Sequence, residues 1–78
     1  MPQDLYWNTY SRAQAGQVIA GLQVLLDGNK LDEKEKEVAK SIQRKLRYVN
    51  FHGSEITATP FNGKEYELVT QVEAALWR

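Results

Sequence analysis

Residues 60–77 read PFNGKEYELVTQVEAALW, and the fold of the chain depends on whether this stretch forms a helix. At about 100° per residue, its apolar side chains fall on one face of a helix. The side chains on that face are Phe61, Leu68, Val69, Val72, Ala75 and Leu76. The spacing predicts a helix that packs against the preceding part of the chain, because one apolar face must be covered.

Two different residues can cap the start of this helix. Thr59 can cap a helix whose first residue is Pro60, since proline fits the first helical position. Alternatively, Asn62 is the cap, and Glu65 completes a capping box three residues later. Asn62 is followed by glycine, however, and Asn-Gly is also a strong signal for a β-hairpin between the flanking residues. We favour a helix, because Pro60 is a poor residue for a paired strand.

Two more helices are expected before residue 60. The first carries an apolar face of Ala15, Val18, Ile19, Leu22, Leu25 and Leu26, and Gly28 is expected to end it in the left-handed conformation. Its start is open: Asp4 can cap a long helix, and Asn8, Thr9 or Ser11 a shorter one. The second helix begins near Asp32, where Glu35 completes a capping box, and its apolar stripe is Val38, Ala39, Ile42, Leu46 and Val49.

The connection between these two helices, residues 27–31, is short enough to predict an antiparallel helical hairpin. Residues 51–59 break the helical period and are expected to be irregular or partly a short extended segment. We therefore predict an all-α fold, a single three-helix domain over residues 1–78. The alternative is an α+β fold with a hairpin around Asn62 and Gly63.

Composition limits the classes of function. Ten basic and ten acidic side chains cancel, so the chain has no long-range electrostatic attraction to nucleic acid or to an anionic membrane. It has no cysteine, and its longest apolar run, residues 18–26, is far too short to span a membrane. The first residues, MPQDLYWN, lack the basic region and apolar core of a signal peptide. We expect a cytoplasmic protein that does not contact a membrane.

Aromatic residues give the clearest indication of a binding surface. Tyr and Trp anchor protein interfaces, because they bury a large area and keep a polar tip. The candidate partner-binding residues are Tyr6, Trp7, Tyr10, Tyr66 and Trp77. The structural alternative is that these aromatics cover the open ends of the core.

Two weaker surface patterns accompany the aromatics. A basic patch on the second helix consists of Lys36, Lys40, Arg44 and Arg47, which can grip phosphates or simply form a solvated face. A stripe of small residues on the first helix consists of Ala13, Gly16, Ala20 and Val24, and it would allow the close approach of a second copy.

Catalytic and metal-binding groups are not expected. His52 is the only histidine, and its neighbours Ser54 and Glu55 lie in a turn, where a catalytic relay with it is improbable. The segment from Asp27 has a leucine and a valine where a calcium loop needs oxygen ligands. We therefore expect no enzyme, no cofactor and no metal site.

These observations favour a non-enzymatic interaction module that docks on a larger protein through exposed aromatics, as a small regulator, inhibitor or adaptor. A homo-oligomer with a ligand site between its subunits is the first alternative. A nucleic-acid binder that uses the basic face of the second helix is the second and less favoured alternative.

Overall fold

Three helices and one pair of strands make up residues 5–51 and 56–77, the part of the chain that the computed structural model describes. The elements in order are β1 Tyr6–Ser11, α1 Arg12–Asp27, α2 Glu33–Phe51, β2 Ile56–Phe61 and α3 Gly63–Leu76. The three predicted helices are confirmed, and helix is the main secondary structure. The strands mean that the α+β alternative fits as well as the all-α class.

Helix α1 begins later in the chain than the longest predicted helix, which Asp4 would cap. Ser11 is its cap: the Gln14 N–H donates to Ser11 Oγ at 3.1 Å, and the Ser11 N–H donates to Gln14 Oε1 at 3.0 Å. A start at Asn8 or Thr9 is wrong, because both residues lie in β1. Asp4 lies outside the described residues.

The end of α1 and the start of α2 are fixed by local hydrogen bonds. The Gly28 N–H donates to the Val24 carbonyl at 2.9 Å, but Gly28 has a right-handed φ of −78°, and Asn29, at φ 55°, is the left-handed residue. The predicted left-handed role of Gly28 is therefore wrong. The predicted capping box of α2 is present, with the Glu35 N–H donating to Asp32 Oδ1 at 2.8 Å.

Helix α2 packs along α1. The buried amide of Gln43 joins them: its Nε2 donates to the Ile19 carbonyl at 3.1 Å and to Gln23 Oε1 at 3.2 Å. Residues 28–32 connect the two helices, so the chain turns back over a short distance, as the hairpin prediction requires.

Helix α3 starts at the second of its two predicted positions. The Glu65 N–H donates to Asn62 Oδ1 at 2.9 Å, and the Asn62 N–H donates to Glu65 Oε1 at 2.9 Å. The start with Thr59 as cap and Pro60 as first helical residue is wrong, because both lie in β2. Asn62 and Gly63 open a helix here rather than a hairpin turn.

Strand β1 is the element that the sequence interpretation missed. It pairs antiparallel with β2, from Tyr6 opposite Phe61 to Ser11 opposite Ile56. Residues 56–59, predicted as a possible extended piece, are indeed strand, and their partner is the N-terminal segment. Aromatic and β-branched residues at Tyr6, Trp7 and Thr9 favour a strand.

The core draws on all five elements. Its buried apolar residues are Tyr10, Ala15, Val18, Leu22, Ala39, Ile42, Leu46, Phe61, Leu68, Val69 and Val72. Of the predicted α3 stripe, Ala75 and Leu76 remain exposed. A Cβ built on Gly21 would lie 3.1 Å from Val72 Cγ1, so α3 makes its close approach to α1 at Gly21.

Glu65 is a buried carboxylate that joins α3 to α2. Lys45 Nζ on α2 donates to Glu65 Oε1 at 2.7 Å, and the Ser41 hydroxyl donates to Oε2 at 2.6 Å. Burial raises the pKa of Glu65, but the hydrogen bonds from Lys45, Ser41 and the Asn62 N–H outweigh it, so the net pKa is lowered from the ordinary 4.5.

No helix in the described ranges is long and apolar enough to cross a membrane.

Ionised Glu65 is expected to stabilise the fold in a pH-dependent way. Because its pKa is lower in the folded protein, its contribution is present above the ordinary value of 4.5 and is lost as the pH falls through the folded value. Glu65→Gln should therefore cost about 1–3 kcal/mol at pH 7. The difference from the parent protein should narrow at low pH. Urea unfolding at several pH values measures this, with the exposed Glu67→Gln as control. A pH-independent difference would contradict the assignment.

Tyr10 and Trp7 should contribute very differently to stability. Tyr10 is 2% exposed and Trp7 is 61% exposed. Tyr10→Ala should lower the free energy of unfolding by about 3–5 kcal/mol, as for other large buried aromatics. Trp7→Ala should change it by about 0.5 kcal/mol or less. Chemical unfolding measures the free energy of unfolding of both variants. Equal losses of stability would contradict the burial of Tyr10.

Candidate binding site along β1

The β1–β2 sheet has one covered face and one open face. Side chains alternate along each strand, so Tyr6, Asn8 and Tyr10 share the inner face with Thr59 and Phe61. The outer face carries Trp7, Thr9, Ile56, Ala58 and Pro60, of which all but the half-buried Pro60 are exposed. This largely apolar outer face has no helix over it in the described structure.

The free edge of β2 is protected. Pro60 has no N–H, and its carbonyl accepts a hydrogen bond from Lys45 Nζ at 2.8 Å. Lys45 Nζ also lies 5.6 Å from the centre of the Phe61 ring. Proline and lysine are residues that natural proteins place on strand edges to prevent further pairing.

Within the described residues, the free edge of β1 carries no proline or lysine, and only its last residue, Ser11, has a capped N–H. The Ser11 N–H is used by Gln14 and the Pro60 carbonyl by Lys45, which indicates that the pairs Ser11–Ile56 and Trp7–Pro60 direct their backbone groups away from each other. By the alternation of an antiparallel ladder, Trp7 and Thr9 then direct their N–H and C=O groups to the free edge. Within the described residues, no other backbone group pairs with them.

A cavity of about 280 Å³ lies against this edge, and we call it the β1 cavity. It is lined by residues 7–10 of β1, by Gln14 of α1, and by Glu73 and Trp77 of α3. None of the lining residues that the structure describes comes from β2. Glu73 is the one charged group among the lining residues that the structure describes.

Hydrogen bonds hold Glu73 in place. The Tyr10 hydroxyl and Asn8 Nδ2 both donate to Glu73 Oε2, the latter at 3.2 Å, and Asn8 Nδ2 also donates to the Tyr10 hydroxyl oxygen at 3.1 Å. Burial raises the pKa of the Tyr10 hydroxyl, and its hydrogen bond to Glu73 raises it further. The Tyr10 hydroxyl therefore keeps its proton at neutral pH and donates a hydrogen bond to Glu73. Glu73 Oε1 has no hydrogen-bond partner among the described residues.

Trp77 forms a wall of the β1 cavity and is itself oriented. Its Nε1 donates to Gln17 Oε1 on α1 at 2.9 Å. The indole therefore bridges the end of α3 to α1, and it is partly exposed. Trp7 also lines the β1 cavity, but its side chain belongs to the outer face of the sheet.

The predicted partner-binding aromatics separate into two groups. Trp7, Tyr10 and Trp77 meet at the β1 cavity. Tyr6 and Tyr66 stack on each other, with ring centroids 4.6 Å apart and planes 18° apart. Tyr10 is buried, so it supports the site from beneath and offers no surface of its own, which corrects its place among the exposed aromatics. The role of the others in partner binding stays a prediction.

The basic patch lies on the surface of α2. Lys40, Arg44 and Arg47 are exposed, and Lys36 forms an ion pair with Glu33 at 3.6 Å. The small-residue stripe on α1 is also accessible, with Ala13, Ala20 and Val24 exposed and Gly16 half-buried. Neither surface carries a structural sign of a ligand, and both remain predictions.

A second, larger depression of about 560 Å³ lies between α2 and α3. Its walls mix both charges, with Glu35, Lys64 and Glu67 among them, so it presents no single recognisable chemistry.

Several site residues escaped the sequence interpretation. Asn8, Gln14 and Glu73 come from three different elements, and only the pairing of β1 with β2 brings them together. The alternation of Tyr6, Asn8 and Tyr10 was the available signal for β1. His52 lies outside the described residues. Within the described ranges, no group of acidic or histidine side chains could hold a metal ion.

No known protein family, curated protein or solved structure matches this chain.

The N–H groups of β1 that face β2 and those that face the free edge should differ in amide hydrogen exchange. The N–H groups of Asn8 and Tyr10 face β2 and should be protected, whereas those of Trp7 and Thr9 face the free edge and should exchange quickly. Two-dimensional NMR in deuterated buffer measures the four rates directly. Slow exchange at Trp7 and Thr9 in the monomer would contradict an open β1 edge.

Proposed function

We propose that this protein is a non-enzymatic interaction module that binds an extended segment of a larger protein along the free edge of β1. The observation that carries the proposal is the difference between the two sheet edges: Pro60 and Lys45 protect β2, and β1 offers its backbone groups. A segment that adds as a strand gains main-chain hydrogen bonds, and its alternate side chains give specificity.

The outer face of the sheet supports the same mode of binding. Trp7 and Ile56 are both more than 60% exposed, at 61% and 68%. A third strand beside β1 would place its outward side chains next to Trp7 and would cover part of this apolar surface. A pair of strands is marginal by itself, so a third strand would also strengthen the sheet.

A second copy of the chain is a competing occupant of the same edge. The partner is proposed to be a different protein because the β1 cavity beside this edge is acidic, and β1 itself, YWNTYS, carries no basic residue to neutralise it. Light scattering at several concentrations separates the two cases. A dimer that Thr9→Pro dissociates would replace this proposal with self-association.

The chain offers a matched pair of variants for the test. Thr9 and Ala58 are cross-strand neighbours, and each directs its backbone N–H outward on opposite edges of the sheet. Thr9→Pro removes a donor from the β1 edge, and Ala58→Pro makes the same change on the β2 edge. Proline is tolerated at such edge positions.

Peptides selected from a displayed library of random linear sequences provide the ligand for this test. Thr9→Pro should weaken their binding by at least about tenfold, which corresponds to ~1.4 kcal/mol. Ala58→Pro should leave the affinity within about twofold of the parent protein. Isothermal titration calorimetry measures both, and circular dichroism checks the fold. Equal effects of the two variants would contradict binding along β1.

A measurement on the unaltered protein covers the case in which Thr9→Pro does not fold. Bound peptide should slow amide exchange at Trp7 and Thr9 and leave Ala58 unchanged. Protection confined to α2, near Arg44 and Arg47, would instead favour the basic patch as the interface.

A further inference from the structure

We propose that the β1 cavity receives an arginine side chain from the segment bound along β1, and this inference rests on the proposed function. The chemistry of the cavity defines the ligand: one hydrogen-bonded carboxylate, the indole of Trp77 on a wall, and an open strand edge beside it.

The geometry of strand addition places one residue of the segment at this cavity. A residue opposite Asn8 would form a non-hydrogen-bonded pair with it and would direct its side chain to the inner face, as Asn8 does. Directly opposite Cβ atoms in such pairs are about 4.5–5.5 Å apart. Asn8 Nδ2 lies 3.2 Å from Glu73 Oε2, so a side chain in that position is within reach of the same carboxylate.

Glu73 is prepared to accept a cation. Tyr10 and Asn8 both donate to Oε2, which fixes the carboxylate, and Oε1 has no partner among the described residues. The buried carboxylate of Glu65, by contrast, is already paired with Lys45 at 2.7 Å. Glu73 therefore supplies a charge without a basic partner in the described structure.

The size and the walls of the cavity favour a guanidinium group. A volume of about 280 Å³ is smaller than the usual site of a drug-sized ligand and suits a single side chain. Guanidinium is planar and stacks on aromatic faces, and Trp is the strongest aromatic partner for a cation. Trp77 is already oriented through its hydrogen bond to Gln17 at 2.9 Å.

The first test uses the smallest probe and does not require strand binding. Blocked arginine, N-acetyl-arginine N-methylamide, should shift the Trp77 indole N–H resonance at millimolar concentration, and the neutral citrulline analogue should not. Glu73→Gln should abolish the shift, because the amide keeps an acceptor for Tyr10 but loses the charge. Glu67→Gln, an exposed acid on the same helix, is the control and should leave the shift intact.

The second test uses the selected peptides, with arginine, lysine or citrulline at the position opposite Asn8. Arginine should bind at least about tenfold more tightly than citrulline, or ~1.4 kcal/mol. Glu73→Gln should remove most of this difference. Lysine that binds as well as arginine would overturn the choice of guanidinium.

The outcomes separate this inference from the proposed function. If Thr9→Pro weakens all peptides and citrulline binds as tightly as arginine, the strand site stands and the arginine inference is wrong. If blocked arginine shifts Trp77 but Thr9→Pro has no effect on peptides, the cation site stands without strand addition. If blocked arginine causes no Glu73-dependent shift and arginine gives no gain in affinity, the cavity is not a cation site.

Discussion

The burial of Tyr10 beneath the β1–β2 pair is the interaction on which the architecture depends. Three helices alone would leave the end of the core near Phe61 open, and Tyr10 covers it with an edge-to-face contact, the ring centroids lying 6.3 Å apart. Burial of the Tyr10 hydroxyl without a hydrogen-bond partner would cost free energy. Glu73 and Asn8 remove this cost because both hydrogen-bond to it. One side chain thus couples the packing of the sheet, the orientation of α3 and the geometry of the β1 cavity.

The two capping boxes that follow the strands explain why the sheet ends where it does. Ser11 is the last residue of β1 and Asn62 directly follows the last residue of β2, and each caps a helix, so the backbone passes from extended to helical over a very short distance. The cap at Asn62 also brings the carboxylate of Glu65 inward, where Lys45 meets it and extends to the Pro60 carbonyl. Protection of the β2 edge is therefore a consequence of how α3 starts. The cap at Ser11 places the Gln14 side chain only at the last N–H of β1, so within the described residues the edge at Trp7 and Thr9 stays open.

Much of the helical part could be predicted from the sequence because helical periodicity and caps are local signals. Asp32 with Glu35 and Asn62 with Glu65 are recognisable from residues three apart, and both boxes are present. Strand β1 was missed because its partner lies about fifty residues away in the chain, and non-local pairing leaves only a weak alternation in the sequence. The aromatic cluster indicated the region of the β1 cavity, but the burial of Tyr10 and the position of Glu73 depend on that same pairing. A competing Asn-Gly signal at residues 62 and 63 was overridden by the apolar face of α3.

For the proposed binding of an extended segment, a sheet of only two strands is an advantage. Such a sheet is marginal, and its persistence here relies on Tyr10 and Phe61 in the core. A third strand would add main-chain hydrogen bonds to the least stable edge, so binding and local stability would rise together by mass action. Backbone pairing is tolerant of sequence, and discrimination must therefore come from the few side-chain positions that meet a defined environment. In this molecule Trp7 on the outer face and Glu73 on the inner face provide two such environments on opposite sides of one strand edge.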